Sequence, residues 1–244
     1  MRIFRFQELS SLIDATASRL ASLVRDIQSS PAGGLHGDGV ARLVLTGGTA
    51  GIALLRRLAE PELSEQIDWS RVHVFFGDER NVAPTHPDSN EGQAREALLD
   101  RVGIPARHIH GYGLDGGPMD EAVARYAETL NAVAPRGFDL HLLGMGGEGH
   151  INSLFPHTDA VRERDLIVVA VSDSPKPPAE RATLTLPAVA RAECVWFLVS
   201  GQEKSEAAAA LATGADPEEW PAAGAKGTAE TVLYVTEDAA PPQS

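Results

Sequence analysis

Six short apolar runs punctuate the chain: Arg42 to Thr46, Val72 to Phe76, Phe138 to Leu143, Leu166 to Val171, Cys194 to Ser200 and Thr231 to Thr236. Each is rich in Val, Leu, Ile or Phe and lacks strict apolar–polar alternation, the pattern of strands covered on both faces. Between them lie segments of helical character: Phe6 to Ile27, Ala50 to Leu58, Ser89 to Val102, Asp120 to Val133 and Glu203 to Thr213. In Asp120 to Val133 the positions Val123, Tyr126, Ala127 and Leu130 recur at steps of three and four, one face of a helix. Strands alternating with helices predict a mostly parallel sheet with right-handed crossovers. The expected fold is α/β: a single domain over residues 1–244, three-layer α/β/α, with a doubly wound, Rossmann-like sheet. Pro31 to Gly39 and the proline-rich Ser172 to Glu180 read as surface loops, and Glu237 to Ser244 as a frayed tail.

Composition narrows the partners. A chain of 244 residues buries about 70% or more of its unfolded surface, so it needs no disulfide or structural metal. Twenty-one Lys and Arg against 34 Asp and Glu give a net charge of −13, which repels phosphate backbones and argues against a nucleic-acid partner. The lone Cys194 excludes a disulfide framework and every Cys-rich metal motif. Its apolar surroundings read as a small buried residue. Met-Arg-Ile-Phe-Arg-Phe6 lacks the apolar stretch of a signal peptide. No apolar run approaches the roughly 20 residues of a membrane helix. A cytoplasmic protein with no membrane partner is expected.

Four segments near strand ends carry candidate chemistry, and strand ends are where open parallel sheets bind ligands. Thr46-Gly47-Gly48-Thr49-Ala50-Gly51 joins a strand to a helix. It is either a tight turn or an anion cradle built from backbone N–H groups and the helix N-terminus. No Gly-Lys-Ser/Thr follows, so it is not a P-loop. Gly77-Asp78-Glu79-Arg80 places two carboxylates and a guanidinium at a strand exit, as a structural ion cluster or as ligand-facing groups. Leu143 to Pro156 contains Gly144, Gly146 and Gly149 in a G-x-G-x-x-G pattern, but Pro156 interrupts where a dinucleotide motif needs a long helix. What stands out there is His150 among glycines with Glu148 two residues before it, a candidate general base. Arg181 and Lys204 bracket the next strand-containing unit, as surface ion pairs or as partners of an anionic ligand. No G-x-S-x-G elbow or H-E-x-x-H site is present. The residues read as an enzyme acting on a small phosphorylated substrate with His150 as base. A nicotinamide-dependent dehydrogenase, resting on the Gly144 pattern alone, and a non-catalytic sugar-phosphate sensor are the readings from other classes.

In order along the chain, these pieces resemble the 6-phosphogluconolactonases. Leu45-Thr-Gly-Gly-Thr49 is similar to that family's phosphate loop. Phe76-Gly-Asp-Glu-Arg80 with Val82, Pro84 and Asp88-Ser-Asn90 is similar to its G-D-E-R…V-P…S-N signature. Phe138 to Gly146, Gly149-His150 and Ser153-Leu-Phe-Pro156 resemble its G-M-G-x-D-G-H-x-x-S-L-F-P block, and Arg181-Ala-Thr-Leu-Thr185, Pro187, Gly201 and Lys204 complete the set. The resemblance implies hydrolysis of 6-phospho-D-glucono-1,5-lactone without metal or cofactor. His150 would activate water, and Arg80, oriented by Asp78, would offset developing charge. Gly47, Gly48, Thr49, Arg181 and Lys204 would hold the phosphate. It also implies a sugar-phosphate lactone as partner and a functional link to glucose-6-phosphate dehydrogenase. Two positions depart from the pattern: Glu148 stands where Asp is usual, as a possible orienting acid for His150, and Asn152 where a small residue is common. The related glucosamine-6-phosphate deaminases, with G-H-I-G-F-N-E-P at this point, are the alternative.

Overall fold

The structure, a computed structural model, describes residues 1–242. Ten strands follow in chain order: β1 (Arg2–Phe6), β2 (Ala41–Leu45), β3 (Val72–Phe76), β4 (Asp78–Arg80), β5 (Ile109–His110), β6 (Phe138–Gly144), β7 (Val168–Val171), β8 (Arg181–Leu184), β9 (Ala192–Val199) and β10 (Glu230–Thr236). The α-helices are α1 (Leu9–Gln28), α2 (Gly48–Leu58), α3 (Pro61–Ser64), α4 (Asn90–Ala94), α5 (Asp120–Val133), α6 (Asp159–Arg162), α7 (Leu186–Val189) and α8 (Ser205–Thr213). A short π-helical segment, Arg95–Leu99, continues α4.

Seven strands form one sheet in the order β1-β10-β9-β6-β2-β3-β5, every neighbouring pair parallel. All five residues of β2 and the first six of β6 are buried, so both faces of the sheet centre are covered, as unalternated apolar runs require. Each large apolar side chain withdrawn from water there contributes about 1.5–3 kcal/mol. The helix α1 buries Leu12, Ile13, Thr16, Ala17, Leu20, Ala21, Val24 and Ile27 along one stripe and packs on α2. On α5, the inward Tyr126 hydroxyl donates to Phe76 O (3.0 Å) and accepts from Phe76 N (2.9 Å), fixing that helix to the end of β3.

Three expectations need correction. Leu166 to Val171 is not a central strand. Its ordered part, β7, lies in a separate antiparallel sheet β4-β8-β7, and Val169 and Ala170 are not buried. Phe6, expected to open the first helix, instead ends the edge strand β1 beside β10, and the helix starts at Leu9. An edge strand is covered incompletely, which lets Arg2 and Arg5 sit among its apolar residues. The tail is not frayed over 237–242: Ala239 is buried, Glu237 N donates to Phe6 O (2.8 Å), and Arg5 donates to Pro241 O. The last two residues of that expected tail, 243–244, lie outside the described residues.

From the centre, β2, β3 and β5 succeed one another in one direction and β6, β9 and β10 in the other, so the order reverses between β2 and β6. Loops leaving the carboxyl ends of strands at such a reversal diverge and leave a crevice. The second sheet begins at that end: one residue after β3, the chain enters β4, and Gly77 bridges the two sheets by donating to Leu45 O (3.1 Å) and accepting from Leu184 N (2.8 Å).

Candidate active site

A cleft of about 340 Å³ occupies the crevice. Its walls include Gly47, Gly48 and Thr49 after β2, Asp78 and Arg80 on β4, and His150 after β6. Arg181 on β8 and Lys204 before α8 complete the set of residues singled out from the sequence. Glu148 touches the set from outside the cleft, through His150.

The loop after β6 opens no helix at its glycines and reaches α6 only at Asp159, so the G-x-G-x-x-G pattern is not a dinucleotide motif. The loop folds back on itself instead, with Gly146 N donating to His150 O (3.0 Å) and Gly149 N to Gly146 O (3.0 Å). A Cβ on Gly146 would lie 2.1 Å from His150 Nδ1 and 2.6 Å from Glu148 Oε2, so only glycine admits this packing. The imidazole is 19% exposed, stacks on Phe155 at 4.6 Å between centroids, and places Nδ1 3.1 Å from Glu148 Oε1. A carboxylate at Nδ1 selects the tautomer that leaves the lone pair on Nε2. Burial, and after it Lys176, hold His150 below its ordinary value near 6.5, with Glu148 and Asp78 pulling the other way. Burial alone would push Glu148 up, but the hydrogen bond from Lys176 leads the opposing effects and leaves its carboxyl below the ordinary range.

On β4 the three charged residues do separate work. Glu79 is buried, lies outside the cleft, and accepts from Asn90 N (2.7 Å), Glu91 N (2.8 Å), Ser89 Oγ (2.9 Å) and Arg80 N (2.9 Å), so it caps the start of α4. Asp78 accepts from Ser153 Oγ (2.6 Å) and Asn90 Nδ2 (3.0 Å). Asp78, expected to orient Arg80, is joined to it through a third side chain. Asn90 stands between them, its Nδ2 on Asp78 and its Oδ1 accepting from Arg80 Nη1. A side-chain amide can donate at one end and accept at the other, which a second carboxylate could not do. Arg80 Nε finds no partner among the described residues.

At the other end of the cleft, α2 begins at Gly48 with no side-chain cap, leaving its first N–H groups open toward the cavity. Gly48 has φ +77°, so the turn requires a residue that adopts the left-handed region freely. Thr46 Oγ1 accepts from Gly144 N (3.1 Å) and ties this turn to the base of the His150 loop. Arg181 is tied into the fold: Nε donates to Pro178 O (3.0 Å) and Nη2 to Lys176 O (3.0 Å) and Pro177 O (3.2 Å), while Nη1 lies 3.9 Å from Asp78 Oδ2. Its guanidinium clamps the 172–180 loop and offers chiefly Nη1 to the cleft.

The model of the family described as glucosamine-6-phosphate isomerases/6-phosphogluconolactonase matches residues 8–234. This chain belongs to that family. The 6-phosphogluconolactonase of Mycobacterium tuberculosis is 52% identical over 211 residues, covering 83% of this chain and 85% of that one. The solved 6-phosphogluconolactonase of Thermotoga maritima superposes with a TM-score of 0.82 at 26% identity, covering 97% and 99% of the two chains. A monomeric glucosamine-6-phosphate deaminase superposes with a TM-score of 0.80 at 20% identity over 98% of both chains. The fold is therefore common to both branches of the isomerase/lactonase family and does not choose between their reactions.

Within this family frame, three residues that the sequence reasoning did not assign gain a place. Asn90 and Ser153 hold Asp78, and Lys176 Nζ lies 2.8 Å from Glu148 Oε1 and 3.4 Å from His150 Nδ1. A lysine flanked by prolines in Ser174-Pro-Lys-Pro-Pro178, just ahead of Arg181, was the available signal for the last of these. Asn152, at φ +49°, packs beside the fully buried His141 of β6, whose imidazole burial pushes down to about 3. Asn152 in place of a small residue thus meets a second polar side chain under the loop. No group of three or more His, Cys, Asp or Glu among the described residues is arranged to hold a metal. No described helix is long and apolar enough to cross a membrane.

Proposed function

We propose that this chain hydrolyses 6-phospho-D-glucono-1,5-lactone to 6-phospho-D-gluconate, with His150 as the general base. The observation that carries the reading is a mostly buried imidazole, bound at Nδ1 by a carboxylate, lining the same cleft as an open helix N-terminus and Lys204.

Nε2 takes a proton from a water whose oxygen bonds to the lactone carbonyl carbon, and the carbonyl π pair moves to its oxygen. Arg80, with Nη1 on Asn90 and Nε unpartnered among the described residues, is the cation for that developing charge. As the tetrahedral intermediate collapses, the ring C–O bond breaks and the imidazolium returns its proton to the departing oxygen. The product is a carboxylic acid and a free hydroxyl; the acid ionises and releases one proton to solvent. A positioned base supplies about 10²–10⁴-fold, and one oxyanion partner about 10²–10³-fold. The backbone of Gly47–Thr49 and Lys204 hold the phosphate, with Arg181 Nη1 as a secondary donor, so that ester binding positions the lactone for attack. This reading places the enzyme in the cytoplasm, taking the lactone that glucose-6-phosphate dehydrogenase forms.

The test generates the lactone in situ from glucose-6-phosphate and follows 6-phosphogluconate with a second dehydrogenase, with and without this protein. Acceleration that His150→Ala removes supports substrate and base together. No acceleration, with ammonia released from glucosamine-6-phosphate, would move the assignment to the deaminase branch.

A further inference from the structure

The 172–180 loop brings a cation to a nitrogen that an imidazole base does not use for its reaction. Lys176 Nζ is 2.8 Å from Glu148 Oε1, and that same oxygen is 3.1 Å from His150 Nδ1. The ammonium is itself 3.4 Å from Nδ1. The loop is fixed there: Arg181 holds the carbonyls of Lys176, Pro177 and Pro178, and Ser174 Oγ donates to Lys176 O (3.0 Å). The side chains of Lys176 and Glu148 are 47% and 37% exposed, and an ion pair so exposed contributes little to stability. Its effect falls on the neighbouring ring. An ammonium has only donors, so it can approach Nδ1–H no further than repulsion allows, whereas the carboxylate accepts. We propose that Lys176 is a positioning residue: its ammonium pins the Glu148 carboxylate against His150 Nδ1 and offsets the carboxylate's charge, so that the ring rests as a neutral base with its lone pair on Nε2.

The physical need follows from the pair without the lysine. A carboxylate beside an imidazole favours the imidazolium, which has no lone pair to accept a proton from water. The cation restores the balance while leaving the carboxylate in place to fix the tautomer. Other charges near the ring are Glu148 itself and Asp78, which favour the imidazolium, and the cations Arg80, Arg181 and Lys204, which line the same cleft and disfavour it.

The inference rests on His150 being the base, and its test separates the two. In substrate-free protein with ¹⁵N-labelled histidine, His150 is titrated by NMR in the wild type, Lys176→Met and Lys176→Arg. Lys176→Met is expected to move the His150 titration to higher pH, and Lys176→Arg to restore it. In the lactonase assay the Met variant then loses several-fold more kcat/KM near pH 6 than near pH 8, with KM little changed. An unmoved His150 titration overturns the proposal, as does a rise in KM with an unmoved pH profile, which would make Lys176 a substrate ligand. If the NMR shift appears but His150→Ala keeps full turnover, the base assignment fails and the electrostatic relationship stands.

Discussion

Ser153 Oγ donates to Asp78 Oδ2 at 2.6 Å, both residues buried, and this bond fastens the His150 loop to the strand that carries Arg80. The other carboxylate oxygen holds Asn90, which in turn holds Arg80. One buried carboxylate thus sets the spacing between the proposed base and the proposed oxyanion partner. Removing a donor from a buried charged group costs about 1–3 kcal/mol or more. Ser153→Ala is expected to lower Tm and to lower kcat more than it raises KM. Asp78→Asn keeps the shape but removes the charge and puts an amide donor where Ser153 Oγ now donates, so its kcat falls further. Melting curves and steady-state kinetics on both variants check this. Reduced Tm with unchanged kcat in both would reduce Asp78 to a structural role.

Lys204 and Arg181 line the same cleft but are not equivalent. Among the described residues the Lys204 side chain clamps no other loop, so Lys204→Ala is expected to raise KM by about tenfold or more, the loss of one charge-assisted phosphate partner, with kcat nearly kept. Arg181→Ala frees the carbonyls of three loop residues and lets Lys176 drift from Glu148, so kcat and KM both suffer. Kinetics of the two variants side by side decide the point; equal effects on KM alone would return Arg181 to a simple phosphate role.

The central strands β2, β3, β6, β9 and β10 were legible because burial on both faces leaves an apolar run with no polar alternation, a property of the chain itself. The small sheet was not. In β4 and β8, Asp78, Glu79, Arg80 and Arg181 read as chemistry rather than as strand, and Leu166 to Val171 looked central because apolar residues do not announce which sheet they join. The site's members were legible as types at strand ends, but their pairings were not. That Asn90 rather than Asp78 meets Arg80, and that Arg181 clamps a loop, follow from the antiparallel register Arg80↔Arg181 and from the fold of 81–90, which no local pattern encodes.

His150 lies below its ordinary value, chiefly through burial. The base must be neutral, so kcat/KM is expected to rise with pH through a midpoint below about 6.5 and to be flat near pH 8. Glu148 favours the imidazolium, so Glu148→Gln should shift the midpoint further down. The amide can also donate to Nδ1 and misplace the lone pair, which lowers the plateau kcat. A pH–rate series on wild type and Glu148→Gln tests both signs together. A midpoint that rises in the variant contradicts this account of the pair.

Away from the cleft, three histidines set the acid limit of the fold. His73 and His110, with Nδ1 and Nε2 2.8 Å apart across β3 and β5, are each pushed down to about 4, first by burial and then by neighbouring cationic forms. His141, fully buried in β6, is pushed down to about 3 by burial. The unfolded chain binds a proton at each near pH 6.5, and the folded chain refuses it until near pH 4 or below. Stability is therefore full above about pH 6.5 and is lost as pH falls through that window, at up to about 1.4 kcal/mol per pH unit for the fully buried His141 and by less for the half-exposed His73 and His110, whose charges water screens. Tm is expected to fall steeply between about pH 6 and pH 4.5, where activity at neutral pH gives no warning of it. His141→Leu, which replaces a buried neutral ring by an apolar side chain, should remove one proton from the slope of stability against pH, and His73→Leu should do the same. A Tm that stays level across that interval, or a slope unchanged in both variants, would mean that these rings accept protons in the folded state.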